Sequence, residues 1–249
     1  MILLVDIGNT TIYLGLSDNN KIIKTHRVKS TTTGSEKLFL SISSFLSNIK
    51  ISDIIISSVV PKITDEFIKM SLKEFKIVPI IINYQLNTSI SINTDYPDEV
   101  GADLISVAAG LTSLEPTLIV DLGTASKLIY VKDKTIIGVI IMPGIEMSMK
   151  SLYSSTSLLP KVSLEIPKKV LGTNTVNCIQ SGIFYGSASS IDGLIQRIAN
   201  ELNHNFNVII TGGYSNLISD LLYTNHLVND ELVLQGILNI YNLNKGLQK

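Results

Sequence analysis

The sequence predicts an α/β protein built from two similar halves, residues 1–115 and 116–249. Each half opens with strand hairpins and continues with alternating helices and strands, which is typical of mixed sheets covered by helices. Two matching phrases, residues 4–10 (LVDIGNT) and 119–125 (IVDLGTA), occupy corresponding places in the halves. Hydrophobic residues make up 45% of the chain and charged residues 16%, so a large core is expected.

The composition excludes several classes of protein and site. A net charge of −1 provides no basic surface for nucleic acid or an anionic membrane. The single cysteine, Cys178, excludes an intramolecular disulfide and fits a reducing compartment. Asp6 interrupts the first apolar run, and no run approaches the roughly 20 residues of a membrane span. We therefore expect a soluble, cytoplasmic protein without nucleic-acid or membrane partners.

Apolar runs and turn residues predict the elements of the first half. Residues 17–20 (SDNN) mark a hairpin turn, and Pro61 suits the first turn of a helix. Apolar residues recur at helical spacing between Ser35 and Asn48, whereas the polar stretch 84–99 is typical of a loop. We expect strands at 1–6, 11–17, 21–28, 53–59 and 78–82, and helices over 35–48, from Pro61 and from near Gly101.

The second half begins after Glu115 and repeats the pattern. Pro143 and Gly144 indicate a strand end followed by a helix, and small residues are frequent in a long helical stretch after them. We expect strands at 117–121, 126–131, 135–142 and 207–211, and helices from Gly144, over 174–202, after Gly213 and from 230 to 243.

The two matching phrases place a carboxylate and a glycine at the end of a buried strand. Asp6 and Asp121 each end an apolar run, and a glycine two positions later lets the backbone approach a ligand closely. Hydroxyl, amide and backbone N–H groups there can bind phosphate, while the carboxylate can hold a cation. The alternative is two ordinary hairpin turns. The repetition favours a nucleotide bound in a cleft between the halves.

Residues 100–103 (VGAD) predict a tight turn at Gly101 and a helix with Asp103 in its first turn. The helix N-terminus stabilises an ionised carboxylate there, which lowers its proton affinity. The alternative is a helix-capping aspartate without a chemical role.

Three later phrases are weak when taken alone. Residues 142–144 (MPG) form a strand-to-helix turn, and residues 171–175 (LGTNT) precede small residues on one helix face. That face suits helix packing or dimerisation as well as ligand binding. Residues 208–213 (VIITGG) form a strand that ends in two glycines, a geometry that suits an adenosine passing over the backbone.

In this order the phrases resemble the type III pantothenate kinases, a family of the acetate kinase, sugar kinase, Hsp70 and actin superfamily. The resemblance extends from Asp6 to Gly213 and therefore over nearly the whole chain. It implies duplicated ribonuclease H-like (actin-like ATPase) domains with mixed sheets and a central nucleotide cleft. It also implies ATP-dependent phosphorylation of pantothenate, the first step of coenzyme A biosynthesis, by a homodimer.

The resemblance also implies roles for individual residues. Asp103 would be the general base, Asp6 would lie near magnesium-bound phosphates, and Asp121 would bind a monovalent cation, potassium or ammonium. Substrate contacts would come from Gly101, Ala102, Asp103, Leu104 and Thr175. ATP or phosphate contacts would come from Asp6, Ile7, Gly8, Asn9, Thr10, Thr11, Ile12, Tyr13, Gly123, Thr124, Thr211, Gly212 and Gly213.

The sequence departs from the family pattern around the substrate and the second phosphate loop. Leu104 stands where the family has an arginine, and Leu offers none of its donors or charge. Thr94 replaces an aromatic residue, although Tyr96 is near it. Residues 124–129 read TASKLI rather than Thr-Ala-x-Thr-x-Asp, and Val139 replaces the second of two glycines.

One departure introduces a charge. If Asp121 and Lys127 flank a tight hairpin, strand alternation places both on one face, and the ammonium can take the position of the potassium ion. The alternative is a solvated lysine on an edge strand.

Two functions remain open at this point. In the first, the protein is an active kinase with altered substrate contacts, since the first phosphate loop and Asp103 are intact. In the second, it is a catalytically impaired relative that acts as a nucleotide-binding accessory or regulatory protein.

Overall fold

Residues 1–30 and 34–245 are described by the computed structural model of the chain. The strands are β1 (Ile2–Ile7), β2 (Thr11–Asp18), β3 (Lys21–Lys29), β4 (Asp53–Ser58), β5 (Ile80–Ile81), β6 (Ser91–Ile92), β7 (Thr117–Leu122), β8 (Ala125–Lys132), β9 (Thr135–Pro143), β10 (Asn207–Thr211) and β11 (Leu227–Val228). The α-helices are α1 (Ser35–Leu46), α2 (Pro61–Met70), α3 (Ala102–Ala109), α4 (Ile145–Ser154), α5 (Thr175–Leu202), α6 (Ser215–Ser219) and α7 (Leu232–Asn244). A π-helical turn at Ser71–Phe75 follows α2, and a 3₁₀ turn at Pro97–Glu99 precedes α3.

Contacts between residues divide the described chain into two units. The first unit contains residues 1–30, 34–114, 133–137 and 231–245, and the second contains residues 115–132 and 138–230. In neither unit do the described residues include a helix that is both long and apolar enough to cross a membrane.

The two units have sheets with the same strand arrangement. In the first sheet the order is β3-β2-β1-β4-β5; the second sheet repeats it as β9-β8-β7-β10-β11 and has β6 as a sixth strand beside β9. The leading strand of each unit pairs antiparallel with the strand after it, β1 with β2 and β7 with β8. Each leading strand pairs parallel with the next strand along its sheet, β4 or β10. The duplicated α/β fold with mixed sheets is thereby confirmed.

Both faces of the first unit's sheet are covered by helices. Successive side chains of β1 point to opposite faces, as strand geometry requires. One face packs Leu3, Val5 and Ile7 against α1 and α2. The other face packs Leu4 and Tyr13 against α3 and α7.

Helix α7 belongs to the first unit, whereas the sequence predicted it in the second half. Its buried residues, Leu234, Ile237 and Ile240 among them, join the cluster that contains α3 and the strand residue Leu4. The Tyr241 hydroxyl donates to Asp53 Oδ2 of β4 at 2.9 Å. An apolar helical pattern does not specify which of two similar sheets the helix will cover, so the chain position alone suggested the wrong one.

Two short strands lie in segments for which the sequence predicted no strand. β6 falls in the polar stretch expected to be a loop and pairs in parallel with Thr135 and Ile136, the first residues of β9. β11 pairs in parallel with Ile209 and Ile210 of β10. Each contains two residues, so pairing with a longer neighbour determines their structure and no alternating pattern predicts them.

A hydrophobic cluster of the second unit lies on one face of its sheet. Leu118, Val120 and Leu122 of β7 pack with residues of α4 and α5. Strand alternation therefore points Asp121, which lies between two of them, to the opposite face.

Candidate active site

The first of the matching phrases ends β1 and forms a short loop. The Asp6 side chain lies on the face that α3 and α7 cover, two positions along β1 from Leu4. Ser57 is its register partner on β4, and the Ser57 hydroxyl donates to Asp6 Oδ1 at 3.2 Å. Strand pairing thus brings a neutral donor to the carboxylate.

Ser30, just after β3, holds the loop that follows. Its hydroxyl donates to the Gly8 carbonyl at 2.6 Å, and its backbone N–H donates to the Thr10 carbonyl at 2.9 Å. The Gly8 N–H donates to the Thr11 carbonyl at 3.0 Å, while Asn9 and Thr10 are exposed. Hydrogen bonds to its carbonyl groups therefore hold the loop in place, and its exposed polar side chains are of the kind that bind phosphate.

The remainder of the predicted ATP-binding run leads back into the core. Ile7 and Ile12 are fully buried, so their side chains contribute to packing rather than to a ligand site. Tyr13 is 5% exposed, and the guanidinium of Arg27 stacks 3.4 Å from its ring centre. Thr11 is half-buried at the start of β2.

Asp103 is placed beside this loop by contacts within the first unit. The Val59 N–H donates to the Ile7 carbonyl at 3.1 Å, and the Val59 side chain lies against Gly101. Gly101 leads into α3, so Asp103 stands in the first turn on the sheet face that also carries Asp6. The two carboxylates predicted to serve in phosphoryl transfer thus occupy one face and one end of the same sheet.

The Asp103 carboxylate is turned back toward the start of its own helix. Oδ1 accepts from the Leu104 N–H at 2.9 Å and lies 2.5 Å from the position that a Cβ on Gly101 would occupy. A side chain at position 101 would therefore displace the Asp103 carboxylate from this position. Ala102 and Leu104 are both buried. Leu104, which is 8% exposed, provides no polar group at the position where the family has an arginine.

The second matching phrase contains an ion pair. Asp121 of β7 and Lys127 of β8 are register partners, and Lys127 Nζ lies 2.8 Å from Asp121 Oδ2. Their side chains are 19% and 15% exposed, respectively. Since β8 is flanked by β7 and β9, the alternative of a solvated edge-strand lysine is wrong.

Gly123 and Thr124 form the second loop, which contacts the start of α4. The Gly144 N–H donates to the Thr124 carbonyl at 3.2 Å, and a Cβ on Gly144 would overlap backbone atoms of both loop residues. The pairs that enclose the turns are Ile7–Ile12 in the first unit and Leu122–Ser126 in the second, so the second turn is one residue shorter. The second loop is therefore the tighter of the two.

The predicted adenosine turn packs directly on the end of β7. Thr211 is the register partner of Asp121 and is 2% exposed. Gly212 has a φ of +94°, and a Cβ on it would lie 2.6 Å from Asp121 Oδ1, whereas one on Gly213 would meet nothing within 4 Å. Strand pairing thus brings 121–124 and 211–213 together in the second unit.

Tyr214 fixes this turn, although it was not among the residues predicted from the sequence. Its N–H donates to the Leu122 carbonyl at 3.0 Å. Burial raises the pKa of Tyr214 well above its ordinary value, and a hydrogen bond to Glu146 in the first turn of α4 adds to that shift. The neutral phenol connects the end of β10 to the helix that contacts the second loop. Its position directly after the two glycines was the available signal.

Thr175 lies elsewhere in the second unit, exposed in the first turn of α5. Asn174 caps this helix, its Oδ1 accepting from the Asn177 N–H at 3.0 Å. A cavity of about 490 Å³ lies beside the same turn, lined by Lys168, Lys169 and Gln180 among others. Nothing in the sequence pattern indicated these cavity residues.

A family model described as type III pantothenate kinase matches residues 2–197 of the chain. The chain belongs to this family. A type III pantothenate kinase from Acholeplasma laidlawii is 46% identical over 98% of this chain and 99% of its own length. Another from Citrifermentans bemidjiense is 38% identical over 98% of this chain and all of its own length. The resemblance inferred from the ordered phrases is confirmed, and these relatives provide no support for the alternative accessory role.

Solved structures with the same fold are much more distant in sequence. A conserved protein from Campylobacter jejuni, assigned to the Baf family of transcriptional activators, aligns with a TM-score of 0.57 at 23% identity, covering 97% of this chain and 98% of its own. Component A of (R)-2-hydroxyglutaryl-CoA dehydratase from Acidaminococcus fermentans aligns with a TM-score of 0.53 at 16% identity, covering 96% of both chains. At these identities the likeness establishes the fold alone.

Proposed function

We propose that this type III pantothenate kinase phosphorylates pantothenate with ATP, the first step of coenzyme A biosynthesis, and that Asp103 is its general base. The observation that carries the assignment of Asp103 is its position on the same face and end of the first unit's sheet as Asp6. A proton acceptor and a phosphate loop thereby lie at the same end of one sheet, and phosphoryl transfer depends on such positioning.

In the proposed reaction the substrate hydroxyl loses its proton to Asp103. The hydroxyl oxygen forms a bond to the γ-phosphorus as the bond from that phosphorus to the ADP oxygen breaks, and ADP leaves with the electron pair. Asp103 needs only to lie within hydrogen-bond reach of the hydroxyl, because positioning and charge stabilisation supply most of the rate in phosphoryl transfer.

Backbone and hydroxyl donors would bind the phosphates. The loop of Gly8, Asn9 and Thr10 would serve in the first unit, and Gly123 with Thr124 in the second. The turn at Thr211, Gly212 and Gly213 would lie along the adenosine. The buried Ile7 and Ile12 would take part only through their backbones.

A divalent ion fits this donor set when phosphate supplies most of its ligands. Among residues 1–30 and 34–245, no group of three or more His, Cys, Asp or Glu side chains is arranged to hold a metal. Magnesium in nucleotide sites is commonly bound by one or two carboxylates, with phosphate oxygens and waters. Asp6 would be the carboxylate near it, and the ion would neutralise charge that develops on the phosphates.

A loosely bound potassium or ammonium ion fits Asp121 poorly. The resemblance implies such a cation at this carboxylate, but Lys127 Nζ already lies 2.8 Å from Oδ2. The backbone of Gly212 closes in on the other oxygen, Oδ1. No step of the proposed reaction is assigned to a free monovalent cation.

Pantothenate would be bound by the Gly101–Leu104 turn and Thr175. Leu104 is buried, so it cannot replace the charged hydrogen bonds of the family arginine. The hydroxyl of Thr94 is buried and has no hydrogen-bond partner among the described residues, which makes it a candidate to meet the substrate.

Pantothenate-dependent ADP formation by the full chain tests the function, with Asp103→Asn testing the base. We expect the variant to lose about two to four orders of magnitude in kcat, because an amide cannot accept the proton. Asp98→Asn, an exposed change in the preceding 3₁₀ turn, is the matched control and should retain activity. Absence of ADP formation with any pantothenate concentration overturns the function. If Asp103→Asn and Asp98→Asn have equal kcat, the assignment of Asp103 as general base is wrong, whereas the function stands.

A homodimer and a cytoplasmic location are part of the same proposal. Helix α5 exposes Gly182, Gly186 and Gly193, and a Cβ on any of them would meet no atom of this chain within 4 Å. Small residues let two helix backbones approach closely, so this face suits a second copy of α5. Light scattering with size-exclusion chromatography tests the dimer: Gly186→Glu should yield monomers, and a dimer that persists in this variant would exclude this face.

A further inference from the structure

The second phosphate loop differs from the first in the residue that pairs with its aspartate across the hairpin. On β2 the register partner of Asp6 is Tyr13, whereas on β8 the register partner of Asp121 is Lys127. On the parallel side the partners are Ser57 and Thr211, both hydroxyl residues. Across the hairpin, the residue paired with the aspartate is therefore a tyrosine in the first unit and a lysine in the second.

The geometry of that ammonium is that of a close, partly enclosed ion pair. The distance of 2.8 Å between Lys127 Nζ and Asp121 Oδ2 lies in the range of charge-assisted hydrogen bonds. Both side chains are less than one fifth exposed, so solvent and salt screen the pair less than they would a surface pair. Central strands hold both residues, which fixes their separation.

A lysine ammonium has the same charge as a potassium ion and binds the same carboxylate oxygens. It is also a compact point charge, unlike the planar guanidinium of arginine. A free ion must be recruited from solution, whereas a tethered ammonium is present at a high effective concentration. Without a cation, the Asp121 carboxylate would repel a phosphate bound at Gly123 and Thr124.

We propose that Lys127 is a positioning residue that serves as a built-in monovalent cation at the second phosphate loop. Its ammonium neutralises Asp121 and holds the end of β7 for the nucleotide, so the protein needs neither potassium nor ammonium ions. The inference rests on the proposed function in that it takes the second loop as a nucleotide site.

Binding of a non-hydrolysable ATP analogue with magnesium provides the test that does not depend on turnover. Calorimetry is run in potassium and in tetramethylammonium salts at equal ionic strength, which holds screening constant. We expect the Kd of the unmodified protein to agree within about twofold between the two salts. Turnover with pantothenate is measured in the same two salts and should be equally indifferent.

Substitution of Lys127 should create the requirement that the unmodified protein lacks. We expect Lys127→Thr to bind the analogue about tenfold more weakly in tetramethylammonium and to recover most of the loss in potassium. Lys127→Gln serves as a second neutral variant, and Lys127→Arg keeps the charge and should stay independent of potassium. Lys132→Thr, an exposed change on the same strand, is the control and should behave as the unmodified protein. Circular dichroism verifies that each variant is folded.

Each result decides the proposal. Tenfold tighter binding or faster turnover of the unmodified protein in potassium overturns it. So does a Lys127→Thr variant that binds equally in both salts, whether its affinity is normal or lost. If the analogue binds with the expected salt pattern but pantothenate gives no turnover, the tethered cation stands and the proposed function fails. No binding of the analogue in either salt overturns both.

Discussion

Gly236 of α7 lies directly against the backbone carbonyl of Ser106 in α3, and a Cβ on Gly236 would overlap that oxygen. At the other end of the contact, a Cβ on Gly110 would meet Leu232. The two helices therefore cross at glycines, backbone against backbone. Since Asp103 stands in the first turn of α3, the C-terminal helix sets the position of the proposed base.

Gly236→Ala should destabilise the protein and reduce its activity. The added methyl group forces α7 away from α3, and such overpacking costs about 1–3 kcal/mol. We expect urea unfolding to show this loss and kcat for pantothenate phosphorylation to fall as Asp103 moves. Gly138→Ala, where a Cβ meets nothing within 4 Å, is the matched control. Equal unfolding midpoints for the two variants would contradict a close α3–α7 crossing.

Gly212→Ala and Gly213→Ala should differ sharply although the residues are adjacent. Gly212 has a positive φ and packs on Asp121, whereas Gly213 has open space around its Cα. Alanine at 212 takes on a strained backbone, at a cost of about 1–2 kcal/mol, and displaces the end of β7 as well. We expect a lower melting temperature and a higher KM for ATP in Gly212→Ala only. If Gly213→Ala shows the same loss of melting temperature and ATP affinity, the turn excludes side chains for a reason other than the positive φ and the packing on Asp121.

Stability should fall at high pH through Tyr241. Burial, followed by the hydrogen bond to Asp53, raises the pKa of Tyr241 to about 12. In the unfolded chain the phenol ionises near 10, so between these values the unfolded state has lost a proton that the folded state keeps. The contribution is complete below pH 10 and disappears as the pH rises toward 12. Unfolding free energies of the unmodified protein and Tyr241→Phe should therefore converge across this interval, and a constant difference would contradict the shift.

Asn174→Ala should weaken the start of α5. It removes the acceptor of the Asn177 N–H, and loss of an N-cap costs about 1 kcal/mol. Because Thr175 is the first residue of the helix, we also expect a higher KM for pantothenate with ATP affinity unchanged. Asn174→Ser keeps a capping oxygen and should restore both properties. If the KM for pantothenate stays normal in Asn174→Ala, the proposed contact between Thr175 and the substrate is wrong.

Strand alternation suggested the pairing of Asp121 and Lys127 but did not decide it. Hairpin spacing left two alternatives, a pair on one face or a solvated edge-strand lysine, and the structure has the ion pair. The turn at Gly144 and the two glycines at 212–213 were also recognised from the sequence. The sequence did not show why glycine is needed at these positions. Gly144 and Gly212 are glycines because other backbone segments occupy the space of a Cβ. A sequence read along the chain contains no record of such contacts between distant segments.

The same limit explains what the sequence did not predict. β6 and β11 depend on pairing with neighbouring strands, and their own residues carry no alternating signal. Ser30, Ser57 and Tyr214 contact the loops through register and packing, which become defined only once the sheets form. Local patterns therefore located the loops, whereas tertiary structure supplied the residues that hold them.

The placement of α7 with the first unit has a consequence for synthesis of the chain. Domains generally fold as their residues leave the ribosome, from the N-terminus onward. Here the first unit begins to emerge first, yet α7, which covers one face of its sheet together with α3, is made only after the residues of the second unit. The second unit has all its residues once Asp230 has been made, so it can fold before the first unit is complete. Until α7 has been made, the apolar face around Leu4 and Ile55 is covered by α3 alone, so part of the first unit's core stays exposed to solvent while the second unit is synthesised.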